Sequence, residues 1–161
     1  SFDWPALRGT AGAVCEALPQ LGERFFVLYG DSYLPCDYAA VEREFLIGGK
    51  RGLMTVFRNE ERWDRSNVEF AGGRILAYDK EQQTLRMRHI DYGLGAFHRS
   101  AFEGIAAGAP FELAGVYRRL LRTSELGAVE VNERFYEIGS LEGIAELSAR
   151  LKEGSAPEEL A

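Results

Sequence analysis

The sequence is short of sulfur, of histidine and of positive charge, and each shortage removes a class of function. Cys15 and Cys36 are its only cysteines in 161 residues. Two thiols cannot complete a zinc site and their spacing matches no paired-ligand motif, so they read as free thiols of a reducing compartment. His89 and His98, the only histidines, have no convincing metal partners in the sequence. No apolar run approaches the ~20 residues of a bilayer-spanning helix, and no secretory or lipidation signal is recognisable. Cytoplasmic residence without a membrane partner is the expectation. The formal charge of -6 argues against nucleic acid and anionic membranes as partners. It leaves room for a phosphorylated small molecule, because a local cation or a metal ion can hold a phosphate within an acidic protein.

What is present suffices for one folded unit. Hydrophobic residues make up 46% and charged residues 27%, a composition that builds a core and stays in solution. One domain is expected over residues 1–153, followed by a frayed tail at 154–161. Residues 12–21 read as a helix, entered through the turn at Arg8-Gly9-Thr10. The unbroken apolar run Phe25-Phe26-Val27-Leu28-Tyr29 reads as a central strand buried on both faces. A helix follows over 38–47, with Asp37 as N-cap and Gly48-Gly49 as its stop. A strand at 53–57 completes a β-α-β unit. Val68–Phe70, Gly72-Gly73 and Ile75–Tyr78 form a hairpin signature. Further strands are expected at 94–97, 129–131 and 135–138, with helices at 111–121 and from Ser140 to about Leu151. The alternation predicts an α/β fold, a Rossmann-like layered mixed sheet flanked by helices.

Several short constellations carry chemical weight. Asp31 lies just past the apolar run, where open α/β sheets bind ligands; a carboxylate there suits Mg²⁺ or simply caps a turn. Glu137, before Gly139-Ser140, has the same setting at another strand end, as a second metal carboxylate or an exposed strand residue. Gly9-Thr10-Ala11-Gly12 opens a helix, whose free N–H groups suit an anion or a nucleotide edge and equally a purely structural turn. Lys80 offers a point charge for a phosphate and Asp79 an acceptor for sugar hydroxyls, although a surface ion pair explains both. The run His89-Ile90-Asp91-Tyr92-Gly93 is costly for a mere loop. Arg118, Arg119 and Arg122 read as the wet face of a helix.

In order along the chain, Leu7–Ala13, Phe26–Ser32, Met54-Thr55-Val56, Ser66-Asn67-Val68, Tyr78-Asp79-Lys80, Ile90–Gly93 and Tyr136–Ser140 resemble the sugar-1-phosphate nucleotidyltransferases that make NDP-sugars. The mannose- and heptose-1-phosphate guanylyltransferase branch is the most similar. The resemblance implies that Gly9, Thr10 and Ala11 border the nucleotide, and that Asp31 and Glu137 hold Mg²⁺. It further implies that Asn67, Asp79, Lys80, Asp91, Tyr92 and Gly93 line the sugar-phosphate pocket, with Asp31 and Lys80 as the catalytic pair. The family more often carries Asp at the position of Glu137, followed by Gly-Thr.

The family also opens with a strand and a glycine-rich, Arg-ending loop for the triphosphate. Nothing like that loop occurs here, so the first β-loop-α unit is expected to be lacking and the chain to be a fragment. The implied partners are a nucleoside triphosphate, GTP favoured, and a sugar 1-phosphate. A homo-oligomer, or a partner supplying the absent segment, is the expected assembly, because the run at Phe25–Tyr29 would otherwise present an apolar edge. A non-catalytic nucleotide-sugar-binding module is the alternative. A glycosyltransferase-like domain is disfavoured because Asp31 is followed by Ser32-Tyr33 rather than by a clustered acidic motif.

Overall fold

The computed structural model describes residues 7–106, 108 and 110–154, so the expected tail beyond Gly154 lies outside the described residues. The architecture is α/β, a six-stranded mixed sheet flanked by helices, with a separate two-stranded ribbon. Its spine is the long strand β6 (His89–His98). Along one side β6 pairs antiparallel with β3 (Gly52–Arg58), which in turn pairs parallel with β7 (Leu126–Val131). Its other side is divided. At His89 it meets β4 (Val68–Ala71), and from Leu94 to His98 it meets β1 (Arg24–Leu28). β4 continues into β5 (Arg74–Tyr78) through Gly72 and Gly73, both at positive φ, which gives the tight turn that their sequence predicts.

Two cores form because β6 alternates faces. Ile90, Tyr92, Leu94 and Ala96 pack against α2 (Tyr38–Gly48) on one side. Phe97 faces Met54, Tyr117 and Leu120 on the other, where α1 (Gly9–Ala17) and α3 (Leu113–Arg122) lie. α3 is the anchor of that layer: Leu113, Val116, Tyr117 and Leu120 are buried at helical spacing. Burying each such side chain contributes roughly 1.5–3 kcal/mol. α2 is set by its ends as expected, with Asp37 accepting from the Ala40 N–H at 2.9 Å and Gly49 closing the helix in the left-handed conformation.

Three expectations change. The run at Phe25–Tyr29 is an edge strand and not a central one. Phe25 and Val27 pack into the core, while Phe26 and Leu28 are 36% and 49% exposed. The Tyr29 N–H bonds to the Gly93 carbonyl and the Arg99 N–H to the Glu23 carbonyl, so odd-numbered residues direct their amides at β6. By the two-residue period the amides of Arg24, Phe26 and Leu28 face an edge that no strand among the described residues occupies. Second, the strand expected at 94–97 reaches back through His89–Gly93 and forward to His98 as β6. Third, the strand expected at 135–138 shrinks to β8 (Tyr136–Glu137), which leaves the main sheet and pairs with a short β2 (Ser32–Tyr33). The β-α-β unit stands, with β6 lying between its two parallel strands. α4 (Leu141–Gly154) closes the described chain.

Candidate active site

The candidate residues converge on Tyr29, at the carboxyl end of β1. Its N–H is tied to Gly93, and its carbonyl accepts from Ser32 N–H at 3.3 Å. Its ring lies beneath the Lys80 ammonium, 5.4 Å from nitrogen to ring centre. Burial, and then the carboxylates of Asp91, Glu112 and Asp31, push its hydroxyl above the ordinary tyrosine range. Those three acids come from β6, from the start of α3 and from the β1 terminus. Four residues singled out in the sequence, Asp31, Lys80, Asp91 and Gly93, thus meet around one tyrosine.

On one side stands an interlocked corner. Asn67 Oδ1 accepts from the Asp91 N–H at 3.0 Å, while the Asn67 carbonyl accepts from the Asp79 N–H at 3.0 Å. The Asp91 side chain is 2% exposed and lies 3.8 Å from the Lys80 ammonium, which is itself 43% exposed. Asp91 Oδ1 accepts from the Gly93 N–H and Oδ2 from the Tyr78 hydroxyl, both at 3.2 Å. Burial pushes the Asp91 carboxyl above its ordinary value, against the opposite pull of Lys80, Gly93 N–H and Tyr78. Gly93 itself sits at φ +94°, and a Cβ there would come 3.3 Å from the Tyr29 ring, so both its conformation and its contact call for glycine.

Two residues of this group take other positions than a ligand-facing reading supposes. Asp79 Oδ1 accepts from the N–H groups of Glu81 and Gln82 at 2.8 and 2.9 Å, which caps its own turn and holds its carboxyl below the usual range. Tyr92 points to the opposite face of β6, edge-on to Phe135 and tilted against Phe57. Only its backbone belongs to the Asp91–Gly93 wall.

On the other side of Tyr29 the chain turns at Gly30 and exposes Asp31. β2 and β8 align Ser32 with Glu137, and the Asp31 carbonyl accepts from the Ile138 N–H at 2.7 Å. Both carboxylates are therefore brought to one short ribbon, both exposed. Glu137 borders a cleft of about 570 Å³ with Trp63, Arg134, Ser140 and Glu146. Among the described residues no three acidic, His or Cys side chains converge as a full metal cage. Each of the two carboxylates is a donor of the kind that Mg²⁺ takes beside waters and phosphate oxygens.

The entrance of α1 differs from an open anion cradle. The Ala11 and Gly12 N–H groups both donate to the Phe111 carbonyl at 2.9 and 3.0 Å. Thr10 donates its hydroxyl to Glu112 at 2.9 Å and caps α3 by accepting from the Leu113 N–H at 2.7 Å. Gly9 packs so closely on Phe111 and Glu112 that a Cβ would lie 2.6 Å from a Glu112 oxygen. A carboxylate thus already stands where the sequence suggested an anion. What this leaves open is the half-buried Gly9 and the exposed Thr10 rather than a ring of free amides.

Sequence reasoning passed over Tyr78, Tyr29, Glu112 and Arg134. Tyr78 carried a signal, since it closes β5 two residues before Lys80. Arg134 stacks between Trp63 and Tyr136, 3.3 and 4.9 Å from the ring centres, and makes a two-pronged ion pair with Glu146 at 2.6 and 2.7 Å. It fastens α4 beside Glu137, and no local pattern announces it.

No protein-family model matches this sequence, and no curated protein matches it by sequence. Solved structures do match by fold. One, assigned as a glucose-1-phosphate thymidylyltransferase from Bacillus anthracis and bound to sucrose, has a TM-score of 0.78 over 94% of this chain at 14% identity. The inositol-1-phosphate CTP transferase from T. maritima gives 0.70 over 93% at 20% identity. HddC from Yersinia pseudotuberculosis, complexed with GMP-PN, gives 0.67 over 91% at 17% identity. The chain spans 64%, 65% and 64% of the lengths of these three structures. It has the fold that these nucleotidyltransferases share.

Proposed function

We propose that the chain carries the sugar-phosphate and metal half of a sugar-1-phosphate nucleotidyltransferase, which joins a nucleoside triphosphate to a sugar 1-phosphate and releases pyrophosphate. The observation that carries the reading is the grouping of Asn67, Lys80 and Asp91 on one side of Tyr29 with Asp31 and Glu137 on the other. Lys80 would neutralise the sugar phosphate, whose oxygen attacks the α-phosphorus in line. Asn67 and the backbone from Asp91 to Gly93 would line the sugar pocket, with Asp79 at its edge. Asp31 and Glu137 would hold Mg²⁺, which supplies charge neutralisation on the phosphates. Gly9, Thr10 and Ala11 would border the base, with GTP the favoured triphosphate and the mannose or heptose branch the favoured sugar. A second copy of the chain, or a partner, would add at the open edge of β1. Residence in the cytoplasm fits free thiols and phosphorylated substrates.

The test is pyrophosphate release with Mg²⁺, each of GTP, CTP, UTP and dTTP, and a panel of sugar 1-phosphates, on this chain and on Asp31→Ala. Turnover lost in the variant supports the enzyme reading. Saturable NDP-sugar binding with no pyrophosphate release favours a sensing module instead. Neither turnover nor binding of any of these ligands overturns both.

A further inference from the structure

We propose that Asp91 is a positioning residue: its buried carboxylate, braced by Tyr78, holds the Lys80 ammonium over the Tyr29 ring so that the cation is presented outward in one place. This deepens the reading above and rests on it only for the identity of the anion that Lys80 meets.

The burial of the two partners is unequal, and that inequality carries the argument. A fully buried ion pair shields both charges, and a surface pair shields neither. Here the carboxylate is 2% exposed and the ammonium 43% exposed. At 3.8 Å the pair is an ion pair without a hydrogen bond, and no hydrogen bond from the Lys80 ammonium is found among the described residues. Its three N–H donors stay available to an oxyanion while its location is fixed from beneath. Lysine needs such help because its charge rides on a flexible four-carbon stem.

The brace is itself rigid. Both Asp91 oxygens are engaged, by the Gly93 N–H and by the Tyr78 hydroxyl. Asn67 ties the Asp91 backbone and the Asp79 backbone to one residue, so the strand bearing the anchor and the corner bearing the cation cannot drift apart. Tyr78 is buried edge-on against Tyr117 of α3, which links the anchor to the core. The Tyr29 ring supplies a second attraction to the ammonium by cation–π contact.

The test uses the whole chain with ¹³C-labelled lysine and reads the Lys80 side chain by NMR. In the parent, the terminal methylene of Lys80 is shifted upfield by the Tyr29 ring and moves slowly for a surface lysine. Asp91→Asn keeps the shape and the Gly93 contact, and is expected to lose both signatures; Tyr78→Phe is expected to lose them in part. A native spectrum with Lys80 unchanged in both variants overturns the proposal, and if Asp91→Asn does not fold, Tyr78→Phe alone decides it. Inorganic phosphate is then added to the parent. If phosphate leaves Lys80 unmoved although the variants behave as stated, the positioning role stands and the phosphate reading of the site fails.

Discussion

The two sides of Tyr29 are built in opposite ways. The Lys80–Asp91 corner is dry at Asp91 and cross-tied, with the Asp91 N–H and both carboxylate oxygens engaged by the protein. The Asp31–Glu137 side is a two-stranded ribbon with both carboxylates in solvent, held by backbone bonds such as Ile138 N–H to the Asp31 carbonyl. The contrast teaches that a cation is pre-arranged by folding on one side, whereas the acidic side is left open to solvent. A preformed corner binds without losing much conformational entropy; an exposed pair of carboxylates waits for a counterion.

The contrast can be broken most forcefully through packing. Gly95→Ala drives a methyl into the Tyr117 hydroxyl and to 2.6 Å from the Phe97 ring, beneath the dry corner. A loss of about 1–3 kcal/mol in urea unfolding is expected. Gly30→Ala, on the open side, meets nothing within 4 Å and is expected to change stability by less than about 0.5 kcal/mol.

Charge gives the next effect. Lys80→Met leaves Asp91 buried without its cation, so the carboxyl moves further above its ordinary value. The native state then holds the proton more tightly than the unfolded chain. Stability therefore falls as pH climbs from the ordinary aspartate range through the raised value, and returns on acidification. A loss of about 1–2 kcal/mol at pH 8, reduced from the fully buried case because Lys80 is 43% exposed, is expected in urea titrations at pH 5 and pH 8. Asp91→Asn in the same background should remove the pH dependence.

Smaller effects sharpen the comparison. Phe26→Lys places a charge on the open edge of β1, where an apolar residue is 36% exposed. Self-association seen by sedimentation should weaken while the unfolding midpoint hardly moves. Asp31→Asn and Glu137→Gln should abolish any Mg²⁺ dependence of nucleotide binding, followed calorimetrically, and leave the midpoint unchanged.

Most elements were legible because their signals are local. The amphipathic spacing of α3, the Gly72-Gly73 turn and the Asp37 cap each specify their structure within a few residues. The place of β1 was not legible, since an apolar run reads alike at the centre and at the edge; what decides is whether another strand lies beside it. β2 escaped notice because two residues form a strand only when Tyr136-Glu137 lies opposite. At the site, Asp31 and Lys80 stood out as charges just past strand ends. The brace from Tyr78 and the double tie from Asn67 depend on Val68 meeting His89 across the sheet, a pairing no local pattern reveals. Thr10 and Glu112 are likewise joined across 102 residues.

The most direct measurement is calorimetric titration of a hexose 1-phosphate into the chain without Mg²⁺, repeated with Lys80→Ala and Asp31→Asn. A preformed phosphate corner predicts binding without metal, weakened about tenfold or more by Lys80→Ala, a change of about 1.4 kcal/mol, and untouched by Asp31→Asn. Binding that requires Mg²⁺, or that both variants weaken equally, would contradict the division of the site into a built half and an open half.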